Sequence, residues 1–167
     1  MKDILIFTDG STLNNQKKGS RSGGVGVFFG DNDKRNISLS LKEDKKTKVT
    51  NQVAELSACY LGLKKLISTE KINNRKIKIY TDSMYIVNII NVWGENWEKN
   101  KWKKKDGKII ENLKLIKKLY YYSKNLNVEY NHVKSHQKEP KKSSSDYYIW
   151  WGNNQADKLA VDASNRI

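Results

Sequence analysis

An α/β fold built on a five-stranded mixed sheet, strand order 3-2-1-4-5, is the architecture this sequence predicts. Three observations predict it. Ile4-Leu5-Ile6-Phe7 is a continuous run of branched and aromatic residues, the pattern of a strand buried on both faces, and it leads into Thr8-Asp9-Gly10-Ser11. A second copy follows at Ile77, Ile79 and Tyr80, which lead into Thr81-Asp82-Ser83. Between the two copies the apolar period becomes helical, so a right-handed crossover sets the two strands parallel and brings Asp9 and Asp82 out at one end of the sheet. Open α/β sheets carry their sites at such an end.

The elements follow in order. Gly10-Ser11 is turn chemistry that stops the first strand, leaving Asp9 where the strand emerges. After a polar, basic loop from Thr12 to Ser22, Gly23 to Gly30 alternates glycine with apolar residues, which predicts a strand whose small face admits another backbone. Asn36 to Leu41 alternates with period two, a strand with one wet face, so the first three strands form an antiparallel meander. Val53, Leu56, Cys59, Tyr60, Leu63, Leu66 and Ile67 recur at helical spacing, with Thr50 or Asn51 as the N-cap and an end before Asn73-Asn74. Tyr85 to Val92 reads as a short helix. Ile109 to Lys124 is amphipathic, with Ile109, Leu113, Ile116 and Leu119 or Tyr120 facing in. Val128 to Val133 is the fifth strand, Lys134 to Tyr148 a long mobile loop, and Gly152 to Ser164 a closing helix.

Length and composition bound what the chain can do. Its 167 residues suit one domain over 1–167 with a single core. Lys and Arg number 32 against 18 Asp and Glu, a formal net charge of +14, which points to a polyanion partner, although the Lys, Asn, Ile and Tyr bias is also what an AT-rich genome produces. The one cysteine, Cys59, rules out an internal disulfide and falls in the apolar pattern of its helix. No stretch approaches the roughly 20 apolar residues that span a bilayer, and the first strand begins within a few residues of Met1, so neither membrane partner nor leader is expected. The expected setting is intracellular and cytoplasmic, with nucleus or organelle left open.

Two further features carry chemistry. Residues 93–108 place Trp93, Trp97 and Trp102 among lysines, which predicts a protruding basic, aromatic element that grips a polyanion and stacks on sugar or base. Four acids stand at comparable places: Asp9 and Asp82 at strand ends, Glu55 in the first turns of its helix and Asp157 in the early turns of the last helix. None has a matching Arg or Lys in its motif. Clustered carboxylates repel one another, and hard divalent cations with oxygen ligands relieve that repulsion.

The residues carrying these features resemble type 1 ribonuclease H, the catalytic domain that cuts the RNA strand of RNA–DNA hybrids. The likeness rests on Thr8-Asp9-Gly10-Ser11, Thr50 to Glu55, Tyr80-Thr81-Asp82-Ser83, His132-Val133-Lys134-Ser135-His136 and Gly152 to Asp157, in the family's order, and spans Ile4 to about Ser164. It implies a ribonuclease H-like fold. It also implies that Asp9, Glu55, Asp82 and Asp157 are catalytic and hold two magnesium ions, with manganese an alternative, and that hydrolysis leaves a 5′-phosphate and a 3′-hydroxyl. His136 matches the family's mobile histidine, which assists proton transfer or product release. Asn51, Gln52 and one of Asn14 or Asn15, taken as Asn15, match the readers of the minor groove, where 2′-hydroxyls distinguish RNA from DNA. Lys48, Thr50 and Asn112 match a DNA-phosphate site, with lysine at 48 where cellular enzymes often have arginine, so charge is kept and bidentate geometry lost. Tyr85 and Trp93 match residues that pack on deoxyribose, and Trp97 and Trp102 belong to the basic protrusion typical of cellular enzymes. The expected partner is an RNA–DNA hybrid, bound by a monomer.

Two departures stand out. Ser135 replaces the glycine that usually precedes the histidine, and 20 residues separate His136 from Asp157, an extended loop over about 137–151 whose excess, Lys138 to about Tyr148, is rich in lysine and serine. Two other readings compete: a noncatalytic hybrid- or duplex-binding module, and a related DNA nuclease or integrase core. The complete acid set argues against the first and Thr50-Asn51-Gln52 against the second.

Overall fold

The computed structural model describes residues 2–13 and 20–166. Over those residues β1 (Ile4–Thr12) pairs antiparallel with β2 (Ser22–Phe28), which pairs antiparallel with β3 (Ile37–Lys42). On its other side β1 runs parallel to β4 (Ile77–Thr81), and β4 parallel to β5 (Val128–His132), giving the order β3-β2-β1-β4-β5 that the pattern predicts. The crossover helix is α1 (Asn51–Thr69), and Thr50 is its cap, accepting from the Val53 backbone N–H at 3.1 Å.

The sheet is covered on both faces, which is why β1 opens with the unbroken apolar run Ile4 to Phe7. On one face Ile4, Ile6, Val25, Val27, Ile77 and Ile79 pack with Leu56, Leu63 and Leu66 of α1. On the other, Phe7 and Phe28 pack with Ala156 of α5 (Tyr147–Asn165). Cys59 lies in the first layer beside Thr8, and burial pushes its thiol up to about 12, so it behaves as a core residue. No helix among the described residues is long and apolar enough to cross a membrane.

Gly10 does not end β1, contrary to the turn expected of it. The strand continues to Thr12 with Gly10 opposite Val25, so Asp9 lies within the strand rather than at its end. The glycine serves close approach instead: a Cβ there would sit 2.5 Å from the Glu55 backbone nitrogen. Gly26 on β2 does the same for α5, since its Cβ would meet the Ala156 carbonyl oxygen at 2.1 Å. The glycine-lined face of β2 is thus the seat of a helix backbone, as the alternation suggested.

Four other expectations are corrected. α5 begins at Tyr147, not Gly152, because its first turns have apolar work: Ile149 and Trp151 pack on the Phe7 cluster, and Tyr148 stands edge-on to Phe7 at 5.7 Å between ring centroids. Asp157 is therefore in mid-helix, where a helix-dipole argument has little force, and the extended loop ends at Asp146 rather than 151. The helix after β4 runs on past Val92, as α2 (Met84–Asn88), a π-helical turn (Ile89–Trp93) and α3 (Gly94–Lys99). α4 (Leu113–Asn125) starts later than Ile109, which is 84 % exposed while Ile110 is buried. Ile67, expected on the inner face of α1, is also exposed.

Candidate active site

Parallel pairing of β1 with β4 sets Phe7 opposite Tyr80, and each acid stands two residues further along the chain, Asp9 within β1 and Asp82 just past the end of β4. Asp9 and Asp82 are thereby neighbours on the face covered by α5, beside the stacked Phe7 and Tyr80 rings. Asp157 reaches them from mid-helix because Gly26, the register partner of Asp9, lets α5 settle onto the sheet. Glu55 comes from the opposite side, on the second turn of α1, where Gly10 admits the helix backbone.

The electrostatics show that the acids converge. Burial first, then the carboxylates of Asp82 and Asp157, push Asp9 up to about 9, although the Gly10 N–H donates to its Oδ1 at 2.9 Å. Asp157 acts on Asp9 through a side-chain hydrogen-bonding contact as well as through its charge, so the two carboxyl groups meet. Burial and then Asp157 raise Asp82, partly offset by a hydrogen bond from Asp9. Burial raises Glu55 as well, and the Ser83 hydroxyl, donating to Glu55 Oε2 at 2.7 Å, lowers it. Among the described residues no three His, Cys, Asp or Glu side chains stand close enough to hold an ion as they are. The donor set nonetheless suits a hard divalent cation: four carboxylates with no thiolate or imidazole among them, and, one turn before Asp157 on α5, Asn153 Oδ1, a buried oxygen without a hydrogen-bond partner.

A groove of ≈ 680 Å³ opens at Glu55, lined by Thr50, Asn51, Gln52, Ser83 and Tyr85. Asn51 is tied to β1 by a hydrogen bond from Thr12 Oγ1. Gln52 and Tyr85 continue into an adjoining hollow walled by Trp93 and Trp97, whose rings stand 5.8 Å apart. Asn112, in left-handed backbone at the start of α4, hydrogen-bonds the Tyr85 phenol. Lys48 is exposed just before the α1 cap and lines neither hollow, and Asn15 lies outside the described residues. His136 is exposed, in left-handed backbone (φ 56°) on the loop after β5.

Trp102 corrects the reading of the protrusion. It is 8 % exposed, packed edge-on to Tyr120 and Tyr121, and its indole N–H donates to the Tyr121 hydroxyl at 3.2 Å. Trp102 therefore anchors the protrusion to α4, and Trp93 and Trp97 are the tryptophans that line the hollow. The groove also holds a cation that motif reading missed: Arg21, beside Thr12 and Asn51. Only its place in the basic loop before β2 hinted at it.

The sheet order, the crossover helix and the acids gathered beside Phe7 and Tyr80 define the ribonuclease H-like class of α/β folds. Within that class the chain belongs to the RNase H family, whose model matches residues 1–165. It is 36% identical over 156 residues to a protein named ribonuclease H from Schizosaccharomyces pombe (strain 972), covering 93% of this chain and 51% of that one. It is 32% identical over 169 residues to ribonuclease H of Clostridium botulinum (strain Hall), covering 100% and 99%. The chain thus spans about half the length of the yeast relative. Among solved structures it superposes on LC9-RNase H1, described as a type 1 RNase H with the type 2 active-site motif, at TM-score 0.69 and 26% identity, covering 98% of this chain and 74% of that one.

Proposed function

We propose that this chain is a catalytic domain that hydrolyses the RNA strand of RNA–DNA hybrids, leaving 5′-phosphate and 3′-hydroxyl ends. The observation that carries the reading is the meeting of Asp9, Asp82 and Asp157 beside a groove lined by Asn51 and Gln52. Carboxyl groups gathered this closely offer a phosphate nothing by themselves, and a divalent cation held among them would supply the charge that attracts it.

Asp9, Glu55, Asp82 and Asp157 are the residues that would hold two magnesium or manganese ions, which when bound supply the charge to activate water and stabilise the leaving oxygen. The chain's own side chains do the rest. Ser83 holds the Glu55 carboxylate at a fixed angle. Asn51 and Gln52 read 2′-hydroxyls from the shallow groove of the RNA strand, and Arg21 meets phosphate there. Tyr85 and Trp93 pack on deoxyribose, Trp97 extends that surface, and Lys48, Thr50 and Asn112 hold a DNA phosphate. His136, exposed on its loop, assists proton transfer or product release.

The test is a gel assay on matched RNA–DNA, DNA–DNA and RNA–RNA duplexes, with and without magnesium. Cleavage of only the RNA strand of the hybrid, dependent on the cation and lost in Asp9→Asn while hybrid binding survives, is the expected result. Equal cutting of duplex DNA, or an Asp9→Asn protein that cuts at an unchanged rate, overturns the reading.

A further inference from the structure

The extra turns of α5 do more than fill the core. Trp150 Nε1 donates to the Gln137 carbonyl at 3.1 Å, so the helix holds the residue directly after His136. The Trp150 ring leans on Tyr147 at 5.7 Å, and its own carbonyl accepts from Asn154 Nδ2 at 2.9 Å. The neighbouring Trp151 bonds Asp31 Oδ1 at 3.3 Å, and Tyr148 stands on Phe7, so this end of the helix is seated on the sheet independently of the loop. The loop itself is pinned at its two ends. Val133 N–H donates to the Thr81 carbonyl at 2.8 Å, and a turn from Lys141 to Ser144 leads into the helix. His136, between those ends, has a left-handed backbone that a non-glycine residue does not favour, and Ser135 before it adds no glycine freedom.

We infer that Trp150 is a positioning residue for His136: its indole N–H to the Gln137 carbonyl sets where the histidine stands relative to Asp157. Trp150 and Asp157 are seven residues apart on one helix stripe, about 10 Å along the axis. The helix that presents the carboxylate therefore also fixes the histidine's loop, and a loop longer than the family's usual interval delivers its histidine to a defined place. This rests on the role given to His136 above.

Trp150→Phe keeps the ring and removes the donor. Its kcat on a hybrid should fall roughly three- to tenfold, the scale of one lost hydrogen bond, with KM unchanged. In a His136→Ala background the same substitution should change nothing further, because there is no histidine left to place. Trp151→Phe, which loses the bond to Asp31 instead, should lower melting temperature without lowering kcat. If His136→Ala slows the enzyme and Trp150→Phe does not, or Trp150→Phe slows the His136→Ala enzyme as much as the wild type, the inference is wrong while the histidine's role stands. A faster Trp150→Phe enzyme also overturns it, since the bond would then restrain the histidine. An unslowed His136→Ala enzyme overturns the histidine's role and the inference with it.

Discussion

Ser83 joins two acid-bearing elements through one hydroxyl. Its Oγ donates to Glu55 Oε2 at 2.7 Å and accepts from the Ile86 N–H at 3.3 Å, so the residue that caps α2 just past Asp82 also orients the carboxylate of α1. That bond lowers a Glu55 pKa that burial raises. Ser83→Ala should therefore move the acid limb of the kcat/KM pH profile upward, because Glu55 stays protonated to a higher pH. Loss of the cap should also cost about 1 kcal/mol, a fall of ~2–4 °C in melting temperature. Ser83→Thr, which keeps the hydroxyl, should restore both; a profile of Ser83→Ala that superposes on wild type would separate Ser83 from Glu55.

Asp9 makes the metal-free protein pH-sensitive. Its carboxyl titrates near 3.8 when unfolded and about 9 when folded, so the fold favours the neutral acid. The sign follows: the stability this confers is complete below the unfolded value and is lost as pH rises through the folded one. In a chelating buffer the wild type should melt at lower temperature at pH 9 than at pH 5. Asp9→Asn, which cannot ionise, should be the more stable of the two at pH 8, by at least a few degrees, and no more stable near pH 4. Adding magnesium at pH 8 should raise the wild-type melting temperature and leave that of Asp9→Asn nearly unmoved. Parallel melting curves across pH for the two proteins would show that Asp9 ionises freely.

The parts of this site legible in the sequence were those encoded locally. Ile4 to Phe7 announces a strand buried twice over, the Thr-Asp echo at residues 81 and 82 announces its parallel neighbour, and Thr50 announces α1. Asp9-Gly10 misled because glycine after an acid reads as a turn, whereas its reason here is the α1 backbone 2.5 Å from where its Cβ would be. That reason exists only after folding. The start of α5 was hidden for a similar cause: Asp146 stands at its N-cap without making a side-chain cap bond, and Tyr148, Ile149 and Trp151 become helical by packing on the Phe7 and Phe28 cluster. Trp102 shares its lysine-rich neighbourhood with Trp93, and only the position of Tyr121 on α4 separates a buried anchor from an exposed platform.

Gly26 and Gly24 offer a paired test of how α5 brings Asp157 to Asp9. A Cβ at Gly26 would meet the Ala156 carbonyl oxygen at 2.1 Å, and one at Gly24 the Ala160 carbonyl oxygen at 2.0 Å, so both alanine variants must push the helix outward. Each should lose about 1–3 kcal/mol of stability by overpacking. Gly26 lies opposite Asp9, one residue from where Asp157 leaves the helix, and Gly26→Ala should also depress kcat; Gly24→Ala, a turn further on, should depress it less. Chemical denaturation beside single-turnover rates separates the two effects, and equal rate losses at equal stability losses would reduce the glycines to packing alone.

Trp93, Trp97 and Trp102 should part company under mutation. Trp93 is 37 % exposed, with Tyr85 at 6.3 Å on one side and Trp97 at 5.8 Å on the other, and the rings front a hollow shared with Gln52 and Lys104. Trp93→Ala and Trp97→Ala should each weaken hybrid binding by about 1–3 kcal/mol, raising KM far more than they lower the rate at saturation. Trp102→Phe gives up the part-buried bond to Tyr121 that ties the protrusion to α4, so it should lower melting temperature and leave hybrid affinity where it was. Because the surface around the hollow is lysine-rich, affinity should also fall steeply with salt, and the slope should be the same in Trp93→Ala as in wild type, since a stacking ring releases no counterions. Titrations at several ionic strengths decide this: a shallower slope in Trp93→Ala would mean that the ring acts by holding a lysine to phosphate rather than by packing on the sugar.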